Sequence, residues 1–134
     1  MGAEHMQIGE VAERTGLSLR TIRYYGEVGL VEPSARSRGG FRLYTESDVE
    51  RLLLIKRMKP LDFTLEETRE LLEILDRLEA GEDAEGERRE LLARLDMFGE
   101  AVAARCASLG EQLAMAEEFA ARLRIQRGRH QVQA

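Results

Sequence analysis

Arg20, Thr21, Arg23 and Tyr24 crowd into the segment LSLRTIRYYGEVGL and offer two guanidinia and two hydroxyls within five positions. Guanidinium forks donate in pairs to guanine edges or phosphate oxygens, and hydroxyls donate or accept, so this set suits the major groove of a duplex. Further on, Arg36, Arg38 and Arg42 flank the Gly39–Gly40 pair of PSARSRGGFRLY. Glycines permit positive φ at a hairpin tip. A basic hairpin directly after a helix-turn-helix pattern reads as a wing gripping the sugar-phosphate backbone, in preference to a solvated loop with incidental charge. Lys56, Arg57 and Lys59 form a third cluster. It either touches phosphate from the flank or balances the acidic helix that follows, and contact is the favoured alternative.

These side chains need helices to aim them. Ile8, Val11 and Ala12 share a helix face that Gly16 closes. Ser18 then offers an oxygen to cap a second helix, in which Ile22 and Leu19 face inward and which Gly29 stops. Phe41, Leu43 and Tyr44 read as a strand returning to the core. Thr45 with Asp48, and Thr64 with Glu67, are capping-box pairs that start two more helices on either side of an interruption at Pro60. Val49, Leu52, Leu53 and Ile55 line the first of these, and Leu65, Thr68, Leu71, Leu72 and Leu75 the second. Glu66, Glu67, Glu70 and Glu73 read as a solvated helix face rather than a carboxylate cluster.

Beyond the acidic, glycine-containing AGEDAEG the chain changes character. Leu91, Leu95, Phe98, Val102, Leu109, Ala116, Phe119 and Leu123 recur at three- and four-residue intervals with skipped positions, the spacing of a coiled-coil seam. A lone helix cannot hide such a stripe from water, so a second copy is expected to cover it, making a homodimer. Folding back on the head, or a small oligomer, are the alternatives. Gly99 and Gly110 weaken this helix by about 1 kcal/mol each relative to Ala, less than the roughly 1.5 to 3 kcal/mol from burying each large apolar side chain. The expected organisation is a flexible lead over 1–6, a head over 7–78, a connector over 79–86, a dimerisation helix over 87–126 and a fraying tail over 127–134.

Composition agrees with a mainly α protein: aromatics are 5% and charged residues 34% of 134 residues. The net charge of −5 is unevenly spread, +2 over residues 1–60 and −7 over 61–134. Between Arg14 and Lys59 stand 10 basic and 5 acidic residues, so a local positive surface exists despite the acidic total. One cysteine, Cys106, cannot close an intrachain disulfide, no apolar run is long enough for a bilayer, and Met1 to Met6 hold no signal-peptide core. The cytoplasm is the expected location, with no membrane partner. No nucleophile stands in a histidine-bearing motif and no glycine loop suits a phosphate, so catalysis has no support and no cofactor is expected.

The segments IGEVAERTGLSLRTIRYYGEVGL (Ile8 to Leu30), GGFRLY (Gly39 to Tyr44) and FTLEETRELL (Phe63 to Leu72) resemble, in this order and spacing, the MerR family of bacterial transcription regulators. The resemblance runs from about Gln7 through Leu75. It implies a winged helix-turn-helix head, a second helical pair, and an antiparallel coiled coil joining two protomers. It further implies binding to a palindromic promoter with a long spacer, which the dimer kinks and untwists for RNA polymerase. By position, Arg20, Thr21, Arg23 and Tyr24 match the recognition helix, and Arg36, Arg38, Arg42 and Tyr44 the wing. Tyr25 and Lys59 match places where the family grips backbone near the distorted centre. Two departures stand out. Gly26 occupies a place where the family commonly has an acid, and Asp62 one where it has a glycine.

The metal-sensing and iron-sulfur branches of that family use two or more thiolates, whereas Cys106 stands alone in mid-helix and His5 and His130 lie near the ends. No metal site is expected. Cys106 reads first as a small packing residue and second as a lone redox or electrophile sensor. A small-molecule effector, if used, would sit near Leu75, Met97 and Phe98. Three functions follow: a ligand- or stress-responsive transcription regulator; an architectural protein that bends DNA without an effector; and a protein-interaction module whose head has lost DNA contact.

Overall fold

The computed structural model describes residues 5–81 and 84–131. They fall into two compact units, Met1–Gly81 and Glu82–Ala134. The first unit runs β1 (Met6–Gln7), α1 (Ile8–Thr15), α2 (Leu19–Glu27), β2 (Ala35–Arg36), β3 (Arg42–Tyr44), α3 (Glu46–Met58), a 3-10 turn at Lys59–Leu61, and α4 (Leu65–Ala80). The second unit is α5 (Glu85–Gln131).

Local chemistry sets the helix ends. Gly16 takes φ 74°, and its N–H donates to the Ala12 carbonyl at 2.9 Å, closing α1. The buried Thr15 hydroxyl donates to the Val11 carbonyl at 2.8 Å and accepts from the Leu17 N–H at 3.2 Å, so the tight turn leaves that side chain satisfied. Ser18 Oγ accepts from the Thr21 N–H at 3.0 Å and starts α2. Both capping boxes form, Thr45 with Asp48 and Thr64 with Glu67. Between α3 and α4, Asp62 sits at φ 56°, a left-handed conformation in which an aspartate is tolerated but a glycine is unstrained.

The strands pair antiparallel in the order β1-β3-β2, with Met6 opposite Tyr44 and Arg36 opposite Arg42. Under them lies the core of Val11, Ile22, Val31, Tyr44 and Leu52, each at most 2% exposed. Ile8, Ala12, Leu53 and Leu65 pack on its margin. Arg14 forks onto the Glu46 carboxylate and so ties α1 to α3. That hydrogen bond holds the Glu46 carboxyl below the ordinary carboxylate range.

Several expectations change. Met6 is no flexible lead: it is buried and Met6–Gln7 is a strand, because β3 supplies backbone partners across the sheet. Residues 1–4 lie outside the described residues. Leu19, expected inward with Ile22, is 40% exposed, since it occupies the first position of α2 where the face has not yet turned to the core. Phe41 precedes β3 and is 62% exposed instead of returning to the core. Ile74, not singled out by the apolar stripe of α4, is 1% exposed. The connector is shorter than 79–86, because α4 continues to Ala80, capped by Gly81 at φ 66°, and α5 begins at Glu85. Residues 82 and 83 lie outside the described residues.

Helix α5 is one element of 47 residues, about 70 Å long at 1.5 Å per residue. It continues through Gly99, Gly110 and Gly128 to Gln131, so the tail expected to fray from 127 is helical as far as it is described. Isolated glycines cost too little to break so long a hydrogen-bonded run. Residues 132–134 lie outside the described residues. No helix among the described residues is long and apolar enough to cross a membrane.

Candidate nucleic-acid interface

The turn of Gly16–Ser18 sets α2 against the core through Ile22, which fixes the faces of its other residues. Arg20 and Arg23 are exposed, and Tyr24 is 48% exposed. Thr21 is half-buried, its Oγ1 accepting from the Ser18 hydroxyl at 2.9 Å. Three of the four side chains therefore face water on one short helix.

The hairpin stands beside that helix. Its tip is a turn from Ser37 to Gly40, closed by the Gly40 N–H donating to the Ser37 carbonyl at 2.9 Å, with Gly40 at φ 80°. Arg36 Nη1 donates to the Gly40 carbonyl at 3.0 Å, so one guanidinium braces the tip while Arg38 stays exposed. Arg36 and Arg42 are paired directly across the strands. Like charges in that position repel, and an anion placed between them relieves the repulsion.

Arg23 of α2 joins Arg36, Arg42, Phe41, Gln7 and Ile8 around a cleft of about 260 Å³. The first turn of α1 opens at the same place, and its N-cap residue Gln7 makes no side-chain capping bond. Free N–H groups and the positive end of a helix dipole favour an anion. Phe41 was missed by sequence reasoning, yet an exposed aromatic between basic residues of a hairpin is a signal that composition alone could have raised. Three arginines, an uncapped helix start and an aromatic face converge here, which suits a phosphate with its sugar.

Two of the expected contact residues prove to be core residues. Tyr44 is fully buried, because β3 turns its side chain inward opposite Met6, and its hydroxyl makes no hydrogen bond. Burial pushes its phenol above the ordinary range. Contact with DNA through Tyr44 is therefore replaced by a packing role. Tyr44→Phe removes the orphaned hydroxyl, so thermal unfolding should show unchanged or higher stability, and DNA affinity should stay within twofold, which is about 0.4 kcal/mol. A tenfold loss of affinity in a titration would restore Tyr44 to the interface. Tyr25 is 7% exposed and its ring lies 5.9 Å from that of Tyr24. Burial raises its phenol too. Tyr25 and the exposed Lys59 line a second cleft of about 190 Å³ with Met58 and Phe63, so the structure brings the two together while leaving Tyr25 mostly as packing.

The flanking basic cluster is split. All three residues are exposed, but Lys56 Nζ donates to the Thr15 carbonyl at 2.7 Å and so serves the end of α1.

On α5 the expected seam divides. Leu91 is 3% exposed. Leu95, Phe98 and Val102 are half-buried, while Leu109, Ala116, Phe119 and Leu123 are exposed. Leu113, 60% exposed, fills the gap between Leu109 and Ala116 that the spacing left open. Met97 is 68% exposed. Cys106 is a free thiol, exposed in the single chain. Among the described residues no group of three or more His, Cys, Asp or Glu is placed to hold a metal ion.

A family model described as MerR HTH family regulatory protein matches residues 6–74. The mercuric resistance operon regulatory protein of Bacillus cereus is 46% identical over 74 residues, 55% of this chain and 56% of its own length. The regulator ZntR of Escherichia coli K12 is 48% identical over 68 residues, 51% of this chain and 48% of its own. The crystal structure of PbrR691 from Ralstonia metallidurans CH34 in complex with lead(II) matches at a TM-score of 0.53 with 35% identity, covering 81% of this chain and 82% of that one. The chain spans about half the length of the curated relatives it matches. The helix-turn-helix, the hairpin, α3 and the first ten residues of α4 lie within the matched residues, and the chain belongs to the MerR HTH family of regulatory proteins.

Proposed function

We propose that this chain regulates transcription by binding a palindromic promoter as a homodimer and distorting its spacer so that RNA polymerase can use it. The carrying observation is the convergence of Arg23, on the exposed face of α2, with Arg36 and Arg42 of the hairpin around one cleft. α2 enters the major groove as recognition helix, Arg20, Arg23 and Tyr24 meet bases and phosphates, and the hairpin holds the adjoining backbone with Arg38. Exposed apolar residues along α5, Leu109 through Leu123, support pairing with a second copy. Two heads at a fixed separation store binding energy in deformed DNA, and a small ligand or stress signal that alters the dimer changes that strain. The site of action is the cytoplasm, and the chain is a binder and not an enzyme.

Selection of bound DNA from a random pool, followed by transcription from the recovered site with and without cell extract, tests this directly. An inverted repeat whose transcription responds to extract is the expected result. Bending without any transcriptional response would leave an architectural protein, and no retained DNA would leave an interaction module. At residue level, Arg23→Ala is expected to cost roughly 1 to 3 kcal/mol of specific affinity while sedimentation shows dimerisation intact. Undiminished binding would remove Arg23 from the interface.

A further inference from the structure

The end of α2 carries no basic residue of its own, although a helix C-terminus gathers unpaired carbonyls and partial negative charge. Backbone N–H groups close the nearest carbonyls: Val28 donates to Tyr24, Leu30 and Val31 to Tyr25, and Gly29 to Gly26. Two carbonyls just beyond them, those of Val28 and Leu30, are taken by guanidinia from distant helices. Arg69 of α4 donates from Nη2 to the Val28 carbonyl at 2.6 Å, across 41 residues of chain. Arg51 of α3 donates from Nε to the Leu30 carbonyl at 2.9 Å, across 21 residues.

Neither arginine is loose. Arg51 Nη1 is held by Asp76 of α4 at 2.7 Å. Arg69 Nη1 lies 3.4 Å from where a Cβ on Gly29 would stand, and Gly29 has φ 78°, so the left-handed turn brings the backbone close under the guanidinium. The turn after α2 is thus fastened to both helices of the second pair by charge-assisted bonds, while α2 itself points its arginines elsewhere.

We propose that Arg51 and Arg69 are positioning residues that set the tilt of α2 through the Val28 and Leu30 carbonyls, and that α4 thereby controls how sequence is read. This rests on the DNA-binding role proposed above. Helix α2 has nine residues. A helix of that length spans about 13 Å, so a rotation of about 10° at its fastened end moves the far end by about 2 Å. Hydrogen bonds to base edges do not survive such a shift. Long arginine side chains on phosphates follow it, because phosphate contacts carry no sequence register.

The test compares the full-length chain with R69M, R51M and R69K on the selected operator and on random-sequence DNA of equal length at one salt concentration, with thermal melting beside each titration. R69M and R51M should lose about tenfold or more in operator affinity, with random-DNA affinity within twofold of the parent, and R69K should recover most of the loss because an ammonium still reaches the carbonyl. An unchanged ratio of operator to random affinity in a folded variant overturns the proposal, as does a parallel fall in both that tracks melting temperature. If R69M does not fold, R69Q, whose shorter side chain stops short of the Val28 carbonyl, carries the same expectation. A parent protein that binds both DNAs equally overturns the DNA-reading role itself, an outcome distinct from parental specificity that the variants leave untouched.

Discussion

Replacing Phe119 and Leu123 together with glutamate is expected to abolish retardation of an inverted-repeat operator at concentrations where the parent saturates it, with the head still folded. Both side chains are more than half exposed in the single chain, at 62% and 54%, and both lie on the stripe that runs from Leu109. Each contributes roughly 1.5 to 3 kcal/mol if a second copy covers it, and a glutamate there must be desolvated without a partner. In the proposed dimer the second head would meet an inverted repeat intramolecularly, so uncoupling the heads should lower operator affinity by about 10² to 10⁴-fold. Sedimentation of the double variant should give the mass of one chain, and circular dichroism should keep the head's helical signal. A dimer mass with full operator binding would mean that α5 pairs by another face or that the heads act without pairing.

The contrast between what could and could not be read from sequence follows sequence separation. Gly16, Ser18 and the boxes at Thr45 and Thr64 act over three or four residues, where residue type and spacing determine the bond. Ile22 lies on a helix whose period exposes its buried face. The hairpin offers no such guide. A three-residue strand has no period to count, so Tyr44 looked equally suited to a basic surface and to the core, and only pairing with Met6 decides. Lys56, Arg51 and Arg69 likewise look like surface cations, yet each serves a backbone carbonyl 21 or 41 residues away. Polar groups that end in such bonds are invisible to pattern reading, because the acceptor is backbone and carries no residue identity. Of the proposed interface, Arg23, Arg36 and Arg42 stand out by residue type and spacing and meet around one cleft, whereas Phe41 and the start of α1 join that cleft only once the sheet forms.

Ile22→Ala and Leu19→Ala, adjacent on α2 and both apolar, are expected to differ widely. Ile22 is fully buried, and truncating it leaves a cavity in the core under the reading face, at a cost of about 2 to 5 kcal/mol. For a domain of ordinary stability, roughly 5 to 15 kcal/mol, that loss is a large share of the total, so operator binding should weaken along with folding. Leu19 is 40% exposed at the first position of the helix. Its truncation should change stability by no more than about 0.5 kcal/mol, as for surface sites without special roles. Urea unfolding measures both, with an unchanged slope showing that only the native state has altered. Equal losses for the two variants would return Leu19 to the core and require α2 to be rotated about its axis from the orientation seen, moving Arg20 and Arg23 off the face on which the proposed interface depends.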